Sequence, residues 1–446
     1  MKKSFVERPP SLGATHTDHS EYQKAKNIEL IKDRQRHLGN SILFYHDPVQ
    51  LVRGEGVWLF DESGRAYLDC YNNVPSVGHC NPRVVKALAD QARQLNTHTR
   101  YLHKSVVEYA KKLSGLMPRN LDVCMFVCTG TEANELAMRI ARAVTGHKGA
   151  IVMEYSYHGN STLISEMSTF DSCPNTRPAH VIAVEPPNTY RGPFRANESS
   201  LGEKYANLVD DAIAELDARG QKTAAFMCDA IFDSQGGLEA PHDYFQLVYE
   251  KVRAAGGLCI ADEVQPGLGR TGNMWGFQNY DVVPDIVTLG KPMGNGHPVA
   301  AVVTTPEIAE SFAASNIYFN TFGGNPVSAE VGMAVLDIIV DDALVENAKS
   351  TGAHLRKGLE ELASRHPIIG NVRGLGLYQA IELVLDHDTK EPAVSVARQL
   401  PDAMKEEGIL IGLAGRVGNV LKIRPPLVFS KENANQLLAV LDRILP

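Results

Sequence analysis

Between about residues 85 and 325, the strand-length apolar runs VCMFVC, AIVME, HVIAV, AAFMCDAI, GLCIADE, DIVTLG and PVAAVVTT alternate with stretches of helical periodicity. No other feature limits the fold so tightly. Alternation of this kind predicts an α/β architecture, a mostly parallel sheet with helices on both faces. A chain of 446 residues exceeds what a single core usually supports, so the flanks are expected to build a second, smaller domain. Residues 1 to about 40 are polar and rich in charge, and read as an N-terminal arm ending in a helix. In LVRGEGVWLFDESGRAYLD, short alternating runs are separated by Gly-Glu-Gly and Glu-Ser-Gly, which predicts an antiparallel meander. Beyond about 330, two helical runs, the short strands LGLYQAIEL and VLKIRPP and a last helix predict an α+β cap. The expected division is residues 1–84 for the arm and meander, as part of the small domain, 85–325 for the large domain, and 326–446 for the C-terminal α+β part. The stretch 186–193, Pro-Pro-Asn-Thr-Tyr-Arg-Gly-Pro, marks an irregular loop.

The formal net charge of −8, with 22% charged residues, gives no basic excess to attract nucleic acid. Met-Lys-Lys is followed by Glu7, Arg8 and a Pro-Pro pair where a signal peptide needs an apolar run, and no segment is long and apolar enough to span a membrane. A cytoplasmic protein that binds neither membrane nor nucleic acid is expected. The seven cysteines form no CxxC pair, and Cys124, Cys128, Cys228 and Cys259 lie in apolar strand-like segments, so reduced thiols are expected rather than metal ligands or disulfides.

Three strand ends carry the chemistry. In CTGTEANELAMRIARAV, Gly130 and Thr131 follow an apolar strand and open a helix, where free backbone N–H groups and the helix dipole favour a phosphate; an ordinary capped helix would need the same residues. The strand GLCIA delivers Asp262 near its C-terminal end, where open α/β sheets bind ligands. DIVTLG stops at Gly290 and presents Lys291 before a turn rich in Pro and Gly. Each is unremarkable alone. A phosphate cup, an acid and a lysine in that order are together what a pyridoxal 5′-phosphate (PLP) site requires: the cup holds the cofactor phosphate, the carboxylate keeps a proton on the pyridine nitrogen, and the lysine amine forms the imine.

On these motifs the sequence resembles, from about residue 40 to the end, the fold-type I, class III PLP enzymes, the ornithine and omega-aminotransferase group. That resemblance implies a large sheet domain of the seven-stranded type with a smaller α+β domain. It also implies that Gly130 and Thr131 bind the cofactor phosphate and that Tyr157 of SYHGN stacks on the ring, with His158 beside it in the cofactor site. Asp262 would pair with the pyridine nitrogen and Gln265 with the ring hydroxyl. Thr321 of FNTFGGNP would reach the cofactor phosphate of a neighbouring subunit, which implies a homodimer with shared active sites; pairing of dimers into tetramers stays open.

Within class III, the stretches CYNNVPSVGHCNPRVV, LNTHTRYLH, NTYRGPFR, GKPMGNGHPVAAVVTT and FNTFGGNPVSAEVGMAVLDII are similar to the phospho-lyases that act on ethanolamine phosphate and phosphohydroxylysine. Where many class III transaminases carry an EPxQGExG-like segment, this chain has DAIFDSQGG. The expected reaction is therefore elimination of phosphate from a small phosphorylated amine, with an omega-aminotransferase as the alternative. A phosphate dianion needs cationic donors, and the candidates are Arg424 of KIRPP, which the resemblance matches to a carboxylate-binding arginine, and Arg100 of LNTHTRYLH.

Overall fold

The computed structural model describes residues 16–39, 43–118, 120–170 and 177–446. The first part of the expected N-terminal arm lies outside the described residues, and a helix, His16–Leu38, occupies the rest. Strands β1 (Leu51–Glu55), β2 (Trp58–Asp61) and β3 (Ala66–Asp69) then form the antiparallel meander.

Seven strands follow in chain order: β4 (Val123–Val127), β5 (Gly149–Met153), β6 (Val181–Val184), β7 (Thr223–Cys228), β8 (Leu258–Asp262), β9 (Ile286–Leu289) and β10 (Ala300–Thr304). They lie side by side as β4-β10-β9-β8-β7-β5-β6. The pairs from β9 to β6 are parallel, whereas β10 runs antiparallel to both its neighbours. The chain covers the ground between Leu289 and Ala300 with only a short 3₁₀ turn, Lys291–Gly294. A parallel return would need a crossover of a dozen or more residues, so the strand comes back reversed. Every residue of β5, β7, β9 and β10 is buried, as strands covered by helices on both faces must be.

The C-terminal part contributes β11 (Ile369–Leu375), β12 (Tyr378–Leu383), β13 (Ile409–Leu410), β14 (Gly412–Ala414) and β15 (Val420–Ile423). Four of these make a sheet in the order β11-β12-β15-β14, while β13 pairs in parallel with β3 and ties the N-terminal meander to the C-terminal segment. One buried apolar cluster runs through both parts, from Leu68 and Val77 through Phe226 and Trp275 to Leu421 and Leu437. Among the described residues no helix is long and apolar enough to cross a membrane, no His/Cys/Asp/Glu group is arranged to hold a metal, and six cysteines are free thiols.

The helix Leu344–Arg365 crosses the turn between β11 and β12 so closely that a Cβ at Gly352 would lie 2.2 Å from the carbonyl oxygen of Gly376. Replacing a helical glycine by alanine normally stabilises by about 1 kcal/mol. Here the obstacle is backbone that cannot rotate away, so overpacking wins. Gly352→Ala should lower stability by about 1–3 kcal/mol, read from the urea midpoint.

Candidate active site

The carboxyl ends of β7, β8 and β9 are in register, with Cys228 opposite Ala261 and Asp262 opposite Thr288. Whatever follows each strand therefore meets at one edge of the sheet: the turn carrying Asp229 and Asp233 after β7, Asp262 as the last residue of β8, and Lys291 two residues after β9. Gly130 opens the helix Gly130–Thr145 directly after β4, and Thr129 caps it by accepting from the Glu132 N–H at 3.1 Å. This cap consumes Thr129, while the N–H groups of Gly130 and Thr131 precede any helical carbonyl that could receive them. The approach here is tight: a Cβ on Gly130 would stand 3.0 Å from Val264, and one on Gly290 3.1 Å from the Gly130 Cα.

Asp262 is buried and fully engaged. One carboxylate oxygen, Oδ1, accepts from the Val264 N–H at 3.1 Å; the other accepts from Asn134 Nδ2 at 2.9 Å and lies 2.7 Å from His158 Nδ1. Asn134 also donates to the His158 carbonyl at 2.7 Å, so the three side chains fix one another. His158 is therefore turned to the acid, and its Nε2 is buried without a partner among the described residues. Lys291 has no hydrogen-bond partner among them. Burial and the Arg424 charge push its ammonium below the usual lysine range, against a smaller pull from Asp233 and Asp262. A lysine so placed holds a larger share of neutral amine at neutral pH, as a nucleophile or base needs.

Behind Lys291 stands a second ionic group. Lys422 and Arg424 alternate along β15 and just past its end, so they share a face. Both are buried, and both reach Asp233, Lys422 Nζ at 3.3 Å from Oδ2 and Arg424 Nη1 at 3.3 Å from Oδ1. Arg424 also donates to Gln265 Oε1 at 2.6 Å and to the Tyr71 carbonyl at 3.1 Å, and its guanidinium lies 4.8 Å from the centre of the Tyr71 ring. Burial alone would raise the Asp233 pKa, but Lys422, Arg424 and Lys291 overcome it and hold the carboxyl at about 2. Burial brings Lys422 down to about 8, with Asp233 opposing. Asp229, one residue past β7, has its carboxyl pushed up to about 7 by burial and by the charges of Asp233 and Asp262.

The structure thus brings Lys291, Asp262, His158, Gln265 and Arg424 together at one sheet edge, with Gly130 and Thr131 at the facing helix start. Gln265 presents its amide oxygen to Arg424 and to Asn73. Tyr157 is 48% exposed. Thr321 sits exposed in the turn after Asn320, and Arg100 lies on an exposed loop with its guanidinium 3.9 Å from the centre of the Phe319 ring. Sequence reading missed Lys422, Asp233, Asn134 and Asn73. Strand periodicity applied to KIRPP carries a signal for Lys422, two residues before Arg424. Asn134 stands one helical turn after Gly130, a polar residue on the apolar side of its helix.

Residues 45–445 match the family described as aminotransferase class-III. The chain belongs to that family. It is 42% identical, over 93% of its length and 86% of the relative's, to an alanine–glyoxylate aminotransferase 2-like protein of Drosophila melanogaster. It is 37% identical, over 99% of its length and 97% of the relative's, to ethanolamine-phosphate phospho-lyase homolog 1 of Caenorhabditis elegans. Among solved structures, an Arthrobacter phospholyase in complex with phosphoethanolamine superposes with a TM-score of 0.90 at 45% identity, covering 94% of this chain and all of that one. The fold is the fold-type I PLP transferase fold, and the cofactor of the family is PLP. The residues present fit it. Lys291 has no hydrogen-bond partner among the described residues, the first N–H groups of the Gly130 helix are open to a phosphate, and Asp262 is held in one orientation by Asn134 and His158.

The purified protein should accordingly be yellow, with a visible band from cofactor linked to Lys291 that Lys291→Ala loses after dialysis against an amine. Asp262→Ala with cofactor still bound should turn over at least about 100-fold more slowly, because removing one preorganised charge at the reacting centre typically costs that much. Both are read by absorbance and steady-state rates.

Proposed function

We propose that the protein is a phospho-lyase that eliminates phosphate from a small phosphorylated amine such as O-phosphoethanolamine, giving acetaldehyde, ammonia and inorganic phosphate with uptake of one water. The observation that carries this reading is the charge balance beside Lys291: two buried cations, Lys422 and Arg424, face one carboxylate, Asp233. A phosphomonoester dianion suits such an excess better than an uncharged amine does. Likeness to the phosphoethanolamine-bound phospholyase supports the same substrate class.

PLP, when bound, supplies an electron sink for the carbon bearing the substrate nitrogen. Gly130 and Thr131 would hold its phosphate, Tyr157 would cover the ring, and Gln265 would meet the ring hydroxyl. Asp262, oriented by Asn134 and His158, would hold a proton on the pyridine nitrogen. Lys291 would act as the base that takes the proton from the nitrogen-bearing carbon of the substrate. Its lowered affinity for protons is the compromise such a base needs: neutral enough to accept one, basic enough to hold it. Lys422 and Arg424 grip the phosphate on the adjacent carbon and stabilise the charge it gains on leaving. Asp233 must yield its hold on them as the dianion arrives. An elimination of this kind would need no keto acid.

A neighbouring subunit would complete the site through Thr321. Exposed Leu102, Ile317 and Phe322 flank that turn and the Arg100 loop, and the His98 and Phe319 rings, 6.2 Å apart, join the two. A second copy of the chain would cover this apolar stretch. Relatives named as aminotransferases, at 42% identity, favour transamination as the second reading.

With O-phosphoethanolamine and no keto acid, phosphate, ammonia and acetaldehyde should appear in equal amounts. A requirement for pyruvate or 2-oxoglutarate, with phosphate left on the carbon skeleton, would give the reading to the aminotransferase. Lys422→Ala should lower kcat/KM by roughly ten- to a hundredfold, the worth of a hydrogen bond to a charged group, with less effect on cofactor affinity. Because Lys422 is protonated only below its pKa of about 8, kcat/KM for the dianion should fall as pH rises through that value. In Lys422→Arg the falling limb should move to higher pH.

A further inference from the structure

One acid at the reacting edge has no task in the elimination. β7 lies between β5 and β8 in the sheet, and Cys228 at its end is level with Ala261, so Asp229 stands beside Asp262. The two acids also share a face. Phe226 and Cys228 pack into one buried cluster with Cys259 and Ala261, and Met227 and Ile260 pack into the other, so side-chain alternation turns Asp229 and Asp262 toward that second cluster and the Gly130 helix. His158, from the turn after β5, meets Asp262 through Nδ1 at 2.7 Å, and to reach it passes the end of β7, where Asp229 stands.

Three carboxyl groups converge here with unequal support. Asp233 faces Lys422 and Arg424, each at 3.3 Å, and Asp262 is held by Asn134, the Val264 N–H and His158. A single donor reaches Asp229 among the described residues, the Asp233 N–H at 3.1 Å from Oδ2. Part of the side chain is open at the sheet edge, yet its Oδ1 is buried without a partner among those residues. Where like charges crowd, the least supported acid takes the proton. Burial, Asp233 and Asp262 act on Asp229 in that direction, and His158 opposes them. Its charge would also be felt by Cys228, Glu263, Tyr280, Tyr378 and Lys422; only the last is a cation, and its Nζ is turned to Asp233.

The imidazole beside it has the complementary need. A ring nitrogen that meets a carboxylate carries the hydrogen, which leaves His158 Nε2 as an acceptor. That nitrogen is buried and has no donor among the described residues. We propose that Asp229 is a positioning residue whose neutral carboxyl donates from Oδ1 to His158 Nε2, directly or through one water, and so fixes the imidazole with its Nδ1 hydrogen on Asp262. Which ring nitrogen of a histidine carries the proton is set by the bond that the other one makes. With the tautomer fixed from behind, Asp262 keeps its orientation toward the pyridine nitrogen of PLP, and no further carboxylate charge forms beside it. The inference rests on the cofactor of the family and not on the lyase reading.

The test uses no substrate, so a failure of the lyase reading leaves it standing. Infrared spectra of the holoenzyme should show, below neutral pH, the carbonyl stretch of a neutral carboxyl group that Asp229→Asn removes, and in the wild-type protein that signal should fade as pH rises through about 7. In ¹⁵N spectra of labelled histidine, Asp229→Asn should keep the wild-type His158 signals, because its amide supplies the donor, whereas Asp229→Ala should shift them toward a mixture of tautomers. The PLP dissociation constant should rise about tenfold in Asp229→Ala and stay within about twofold in Asp229→Asn, the difference one hydrogen bond makes. Holding the Asp233 N–H, a merely structural role, predicts neither spectral change. The inference is overturned if no neutral-carboxyl stretch is lost in Asp229→Asn below neutral pH, or if the His158 signals of Asp229→Ala match those of the wild-type protein. Should Asp229→Ala not fold, the infrared comparison with Asp229→Asn still decides.

Discussion

Burying Lys422 and Arg424 around the single carboxylate of Asp233 sets the terms for everything else at this edge of the sheet. Two cations withdrawn from water cost several kcal/mol each, and one carboxylate repays only part of that, even with the Gln265 and Tyr71 contacts added. The arrangement persists because it also joins two parts of the molecule: Asp233 follows β7 of the large sheet, whereas Lys422 and Arg424 belong to the C-terminal sheet. Arg270 repeats the theme nearby, buried and donating to the carbonyls of Leu377 and Pro425, with its own charge disfavoured by burial and by Arg424. A surface with surplus positive potential and few solvating groups is preorganised for an anion before any anion arrives.

That surplus also acts on Lys291. Its amine feels burial first and Arg424 second, so the groups that suit a phosphate also favour the neutral lysine. Asp262 is held in place by hydrogen bonds from Asn134 and the Val264 N–H and by His158. Next to it in sequence, Glu263 takes the opposite course. Burial pushes its carboxyl up to about 8, though it accepts from the Gly276 and Phe277 N–H groups, and it serves the turn after the strand rather than the chemistry. Glu263 lies just past the strand end and turns into the following loop, while Asp262 ends the strand, and that placement separates the two roles.

The strands of the large sheet were legible in the sequence because apolar runs between helices leave few alternatives, and all seven runs became strands of one sheet. What was not legible depended on pairing. The reversal of β10 follows from the short link after β9, not from its composition, which is as apolar as that of its neighbours. The pairing of β13 with β3 joins residues more than three hundred positions apart, and a strand of two residues leaves no periodic trace. The helix Val394–Glu406 carries Pro401 in its interior and so reads as a break. In the site, Lys291 and Asp262 were visible because each stands at or just past the end of an apolar strand. Asp233 was hidden in DAIFDSQGG, four residues beyond Asp229, and only the fold turns it toward β15.

Under the proposed roles of Lys291 and Asp262, nothing in that pair would distinguish elimination from amino transfer, since both reactions would begin with the same proton leaving the same carbon. The distinction must come from what awaits on the next carbon. A site that ends in one arginine neutralised by one acid has no net charge to offer a departing dianion. Here the count is two cations to one carboxylate, and the acid is held near a pKa of 2, so it cannot relieve the crowding by taking a proton at neutral pH. An arriving phosphate therefore has to displace Asp233 from Lys422 and Arg424 instead of protonating it, and it brings two charges where the carboxylate brought one. The exchange favours the dianion by charge and by the number of acceptor oxygens. The same exchange would disfavour a neutral or monoanionic group in its place, so under the lyase proposal the specificity and the leaving-group assistance would arise from one set of contacts.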